Sequence, residues 1–167
     1  MRSMCDLRYM NELHYPILGS DQLLTIESGV LQHMFNYRQL EEANSEAGGQ
    51  LFGRFEGTRI VISRATGPNA TDFRTRFRFL PNRRTEKKEI EQMYTESLHF
   101  VGDWHTHPQR IPLPSNEDIN SIRDIFSRSK HQLAGMVMII IGLADPPDGL
   151  FVSVCNAETC HQLRVQD

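Results

Sequence analysis

The run Met136-Val-Met-Ile-Ile-Ile141 constrains this chain more than any other stretch. Six consecutive apolar residues are far too few to span a bilayer, which takes about 20 in a helix. Their β-branched bias and short length fit a central strand buried on both faces. A chain of 167 residues is most simply one domain, long enough to bury a core around such a strand.

The remaining pattern builds a sheet around that strand. Residues 1–20 show no period and are punctuated by Pro16 and Gly19, so they read as an extension packed on a single domain over 21–167. Gln22 to Ile26 reads as a short strand. Ser28 is a plausible N-cap for a helix whose stripe is Val30, Leu31, Met34 and Phe35. Gly48–Phe55 and Arg59–Ser63 read as paired strands joined through Gly57. Phe73 to Phe79 alternates strictly, which predicts one strand with Phe73, Phe77 and Phe79 on one face and three arginines on the other. A helix is expected over about 83–97, with Ile90, Met93, Tyr94 and Leu98 as its stripe. A strand from His99 follows, and a second helix starts at Ser115 and is buried by Ile119, Ile122, Ile125 and Phe126. Three strands near 135–142, 149–155 and 159–165 end the chain. The expected fold is α/β or α+β: a mixed sheet of about seven strands flanked by about three helices.

The chemistry concentrates at Val101-Gly-Asp-Trp-His105-Thr-His107-Pro108. Histidines at i and i+2 on a strand point to the same side. Neutral imidazoles bind zinc well, and a carboxylate oxygen is a suitable third donor. Ser115 as N-cap puts Asp118 in the first turn of its helix, where a helix start packed on the strand end could present it to both histidines. Two histidines and one carboxylate leave a position for water, which is the pattern of a catalytic zinc site. Hydrolysis also needs a base outside the ligand set. Glu46 suits that role because it leads into Gly48-Gly49 at the head of a strand. Glu41 and Glu42 are nearby rivals, but neither abuts the glycine pair. Ser115 could donate to a developing oxyanion, a role that shares its hydroxyl with capping.

Taken together, Glu46, His105-Thr-His107-Pro108, and Ser115-Asn-Glu-Asp118 resemble the JAMM motif of the MPN-domain metalloproteases. Gly48-Gly49, Gly53, Val101-Gly102 and Pro68-Asn69 match the flanks. The resemblance spans roughly residues 20–165 and is to the compact prokaryotic type. It implies an MPN-like curved mixed sheet with a cytidine-deaminase-like outline. It implies a zinc isopeptidase or peptidase acting on a ubiquitin-like modifier or a protein conjugated in that way. His105, His107 and Asp118 would bind one zinc, with Glu46 as general acid/base and Ser115 as oxyanion donor. Some prokaryotic relatives act in anti-phage operons beside E1- and E2-like enzymes. Processing of a sulfur-carrier protein and a non-catalytic MPN scaffold are the alternatives. Asp103-Trp104 departs from the aromatic pair common in relatives, and long linkage-selecting insertions are lacking. A nucleobase deaminase would need His-x-Glu and Pro-Cys-x-x-Cys signatures, and neither occurs.

The net charge of −3 exerts no global pull toward nucleic acid or acidic membranes, so neither is expected as a partner. The N-terminus has no apolar run of the signal-peptide kind. Cys5, Cys155 and Cys160 do not form a disulfide framework by spacing. Cys155 and Cys160 read as small hydrophobes in or beside strands, and a reducing, cytoplasmic setting is expected. His14, His33, His99, His131 and His161 read as surface or core groups. Trp104 reads as core or groove wall. Arg74, Arg76, Arg78, Arg83, Arg84, Lys87 and Lys88 read as a solvated face, with docking of an acidic partner as the functional alternative.

Overall fold

The computed structural model describes residues 10–129 and 133–167. Cys5, His131 and the first nine residues of the expected extension lie outside these. Ten strands and three helices follow in the order β1 (Leu13–Pro16), β2 (Leu23–Ile26), α1 (Ser28–Phe35), β3 (Gly48–Glu56), β4 (Arg59–Ala65), β5 (Phe73–Thr75), β6 (Arg78–Leu80), α2 (Arg83–Thr95), β7 (His99–Thr106), α3 (Asn116–Arg128), β8 (Met136–Ile141), β9 (Leu150–Cys155) and β10 (Cys160–Gln162). Eight strands make one mixed sheet in the order β1-β2-β4-β3-β7-β8-β9-β10, and β5 and β6 pair apart from it. The sheet is parallel at β2–β4 and β7–β8 and antiparallel elsewhere. The class matches the expectation, with a somewhat larger strand count. Part of the surplus is β1, which lies inside the stretch without a period and edges the sheet.

β8 is buried on both faces as its composition requires. Val137, Ile139 and Ile141 join a core under α1 that holds Leu31, Met34 and Trp104. Met136, Met138 and Ile140 join a second core with Ile122 of α3 and Phe151 of β9. The period of two sends alternate side chains into different cores. Trp104 is therefore core, and its indole Nε1 donates to the Thr66 carbonyl at 2.9 Å.

Four local expectations are corrected. Ser28 is the first residue of α1, not its cap; the cap position is Glu27, which makes no side-chain bond there. The stretch 73–79 is not one strand. It reverses at Arg76-Phe77 into a two-residue hairpin, leaving Phe77 76% exposed. Alternation reports faces, not reversals, and no glycine or proline marks this turn. Of the stripe expected on α2, Met93 is buried but Tyr94 is exposed. Cys155 and Cys160 are joined in a disulfide. Antiparallel pairing of β9 with β10 sets them directly opposite each other, a proximity their spacing along the chain hides. The thiol argument for a reducing compartment therefore lapses.

The glycine pair ahead of the site is fixed by close packing. A Cβ at Gly49 would lie 1.8 Å from the Thr66 carbonyl oxygen. That carbonyl cannot retreat, because Trp104 holds it and His33 Nε2 donates to the adjacent Gly67 carbonyl at 2.7 Å. Gly49→Val is expected to destabilise the fold by at least about 3 kcal/mol, read as a lowered urea midpoint at constant slope. A loss below about 1 kcal/mol would show that the 66–69 segment yields.

Candidate active site

The site forms where the C-terminal end of β7 meets the start of β3 and the N-terminus of α3. β3 and β7 pair with Gly48 opposite His105, so Glu46, two residues before β3, lies beside the histidine pair. Its main chain is held from two sides. Glu46 N donates to the Thr75 carbonyl of β5 at 2.7 Å, and Arg74 Nε donates to the Glu46 carbonyl at 2.7 Å. On the β7 side, Thr106 N donates to the Ala47 carbonyl at 2.8 Å. Two of the arginines read as a solvated face thus anchor the segment before β3, since Arg76 also donates to the Glu41 carbonyl.

Asp118 reaches the histidines from α3. Ser115 and Asp118 form a reciprocal capping box: Asp118 N donates to Ser115 Oγ at 3.1 Å, and Ser115 N donates to Asp118 Oδ2 at 2.8 Å. This satisfies two otherwise orphaned amides and fixes the direction of the carboxylate. Asp118 Oδ1 lies 3.3 Å from His105 Nε2, and Oδ2 lies 3.3 Å from His107 Nε2. The two Nε2 atoms are 3.2 Å apart. Glu46 Oε1 lies 3.5 Å from His107 Nε2, and Glu46 is only 5% exposed. These residues sit in a cavity of about 500 Å³ whose walls include Phe79, Pro108 and Ser115.

The electrostatics follow from this crowding. Burial raises the Glu46 carboxyl above the usual range, while the two imidazoles oppose the rise. Burial pushes the Asp118 carboxyl up too, but hydrogen bonds from both imidazoles more than reverse that and leave it well below the usual range. Burial alone would lower His105; the Asp118 carboxylate outweighs it and the net shift is upward. Half-buried Asp103, on the His105 side of β7, is pushed up to about 6 by burial.

Two imidazole nitrogens and two carboxylates converging in this way are a donor set for a metal ion. Glu46, His105 and His107 offer donor atoms within 4.8 Å of one another, and Asp118 is closer still to both histidines. All four of these residues were singled out in the sequence, and Ser115 stands at their edge. Sequence reasoning did not single out Thr106, which sits between the histidines, or Gln39, which accepts from the Thr106 hydroxyl at 2.9 Å and which no motif marks.

Residues 29–154 match the family described as prokaryotic homologs of the JAB domain. The chain belongs to this family. The JAB-domain protein is 31% identical over 140 residues to a CD-NTase/cGAS isopeptidase of Escherichia coli (strain TW11681), covering 81% of this chain and 86% of the relative. It is 32% identical over 101 residues to the probable metalloprotease y4qB of Sinorhizobium fredii, covering 58% and 62%. Its fold is like the solution structure of protein DSY2949 from Desulfitobacterium hafniense, with a TM-score of 0.61 at 20% identity, over 83% of this chain and 88% of that one. The JAB-domain protein is thus a JAMM-type hydrolase with an isopeptidase role, and its clustered donors suit a metal ion. Among the described residues no helix is long and apolar enough to cross a membrane.

Proposed function

We propose that this chain is a zinc-dependent isopeptidase that removes a ubiquitin-like modifier, or a protein conjugated in a ubiquitin-like way, from its target. The observation that carries this is the meeting of His105, His107, Asp118 and Glu46 in one cavity. His105, His107 and Asp118 would hold the zinc, a reading supported by the Asp118 carboxylate lying 3.3 Å from both imidazoles. When bound, zinc supplies Lewis acidity that polarises the scissile carbonyl and acidifies water to a pKa of roughly 7. Glu46, which touches only His107, is left as the base. Its carboxylate takes the proton from the attacking water and returns it to the leaving amine. The Ser115 oxygen accepts from Asp118 N, which leaves its own proton to donate to the developing oxyanion.

The Escherichia coli relative is named a CD-NTase/cGAS isopeptidase, and the substrate we infer for this chain is a CD-NTase-like protein joined to its target by an isopeptide bond. The setting is an anti-phage system in the cytoplasm, with E1- and E2-like enzymes of the same operon as partners. The complete donor set favours this over a scaffold, and nothing at the site favours a sulfur-carrier substrate.

The test is metal content and cleavage on purified protein. One zinc per chain is expected, with cleavage of a ubiquitin-like conjugate abolished by chelation and restored by zinc. Protein that carries no zinc and stays inactive when zinc is added would make it a scaffold.

A further inference from the structure

Behind the histidine pair, on the opposite side of β7, lies a buried polar cluster that the reaction does not use. Thr106 alternates with His105 and His107, so its side chain points away from the metal donors and is 0% exposed. Its hydroxyl accepts from Ala47 N at 2.9 Å and donates to Gln39 Oε1 at 2.9 Å. Gln39, 1% exposed, donates through Nε2 to the Arg76 carbonyl at 2.8 Å and to the Asn44 carbonyl at 3.3 Å. One amide therefore ties together three pieces of backbone that are distant in sequence: the histidine strand, the 44–47 segment that carries Glu46, and the tip of the β5–β6 hairpin.

We propose that Gln39 is a positioning residue that sets Glu46 against the histidine pair, acting through Thr106 on one side and the hairpin on the other. The hairpin is a small sheet of its own, and its Thr75 carbonyl receives the Glu46 amide. Gln39 holds the far end of that hairpin, while Thr106 holds the residue after Glu46. Removing the amide strands a buried hydroxyl donor and two carbonyls, and such groups reorganise toward water. The segment that moves is the one bearing Glu46. The histidines, fixed by pairing of β7 with β3 and β8, stay in place. A displacement near 1 Å at a reacting group lowers a rate by about 100-fold. The cost therefore falls on turnover and not on metal binding.

This rests on the role proposed for Glu46, so the experiment separates the two. Gln39→Met keeps the shape of the side chain and removes its hydrogen bonds; Thr106→Val does the same at the other end of the link, and Thr106→Ser keeps the hydroxyl. Amide exchange by NMR on the zinc-loaded protein is expected to show lost protection at Ala47 in Gln39→Met and Thr106→Val, with β7 and β8 unchanged and zinc content equal to wild type. In cleavage of a ubiquitin-like conjugate, both variants are expected to lose at least about tenfold in kcat at unchanged KM, with Thr106→Ser retaining it. In a Glu46→Gln background the Gln39→Met loss is expected to vanish, because a group that acts through Glu46 has nothing left to position. Undisturbed protection at Ala47, or an equal kcat loss with and without Glu46, overturns the proposal. If Glu46→Gln alone cleaves at the wild-type rate, the catalytic assignment of Glu46 falls, and the exchange result still decides whether Gln39 holds this segment.

Discussion

Glu46→Gln is expected to cut turnover by at least about 100-fold, to a slow residual rate, while leaving zinc in place. The substitution is nearly isosteric, and the contacts that hold residue 46 are made by its main chain, to Thr75 and Arg74. The backbone therefore stays where it is. What disappears is the ability of the side chain to take a proton from water and hand it to the leaving amine. General acid–base contributions of this kind run to roughly 10²–10⁴-fold in rate. The metal should remain because Glu46 lies 3.5 Å from His107 alone, whereas Asp118 is within 3.3 Å of both histidines. Steady-state cleavage and metal stoichiometry on the same preparation check both halves. Zinc lost together with activity would mark Glu46 as a ligand, and the base would have to be sought elsewhere.

Asp118→Asn is expected to separate two tasks that one side chain performs. The carboxylate caps α3 by accepting from Ser115 N, and it also faces both imidazoles. Asparagine retains a carbonyl oxygen that can accept from Ser115 N, so the helix start survives. It loses the negative charge and one oxygen donor. Outer-shell substitutions already cost about 10–100-fold in metal affinity, so loss of a direct donor should cost at least about 100-fold. The expected result is a folded protein with thermal stability close to the metal-free wild type and little bound zinc at micromolar supply. Ser115→Ala is the comparison. It removes the cap but no metal donor, so it should lower stability by about 1 kcal/mol and leave zinc bound. If Asp118→Asn keeps zinc at wild-type affinity, Glu46 must be the third donor, and the roles of the two carboxylates exchange.

By itself the sequence determined the local settings of His105, His107 and Asp118 and how β8 is buried. His105 and His107 share a face because strand side chains alternate. Asp118 sits in the first turn because Ser115 can cap it. Met136 to Ile141 must be buried on both sides because no polar residue interrupts them. These are local rules of period and capping, and they hold whatever the surroundings. Only the tertiary structure decided where the chain turns back and which distant groups pair. The reversal at Arg76-Phe77 carries no turn residue, so hydrogen bonds from Gln39 and Arg76 across the fold have to hold it. Cys155 and Cys160 become neighbours only through the pairing of β9 with β10. Gln39 is one glutamine in a polar stretch until folding buries it against Thr106 and leaves it no water to bond. Local patterns state what a residue can do; long-range packing alone determines which partner each buried polar group must satisfy.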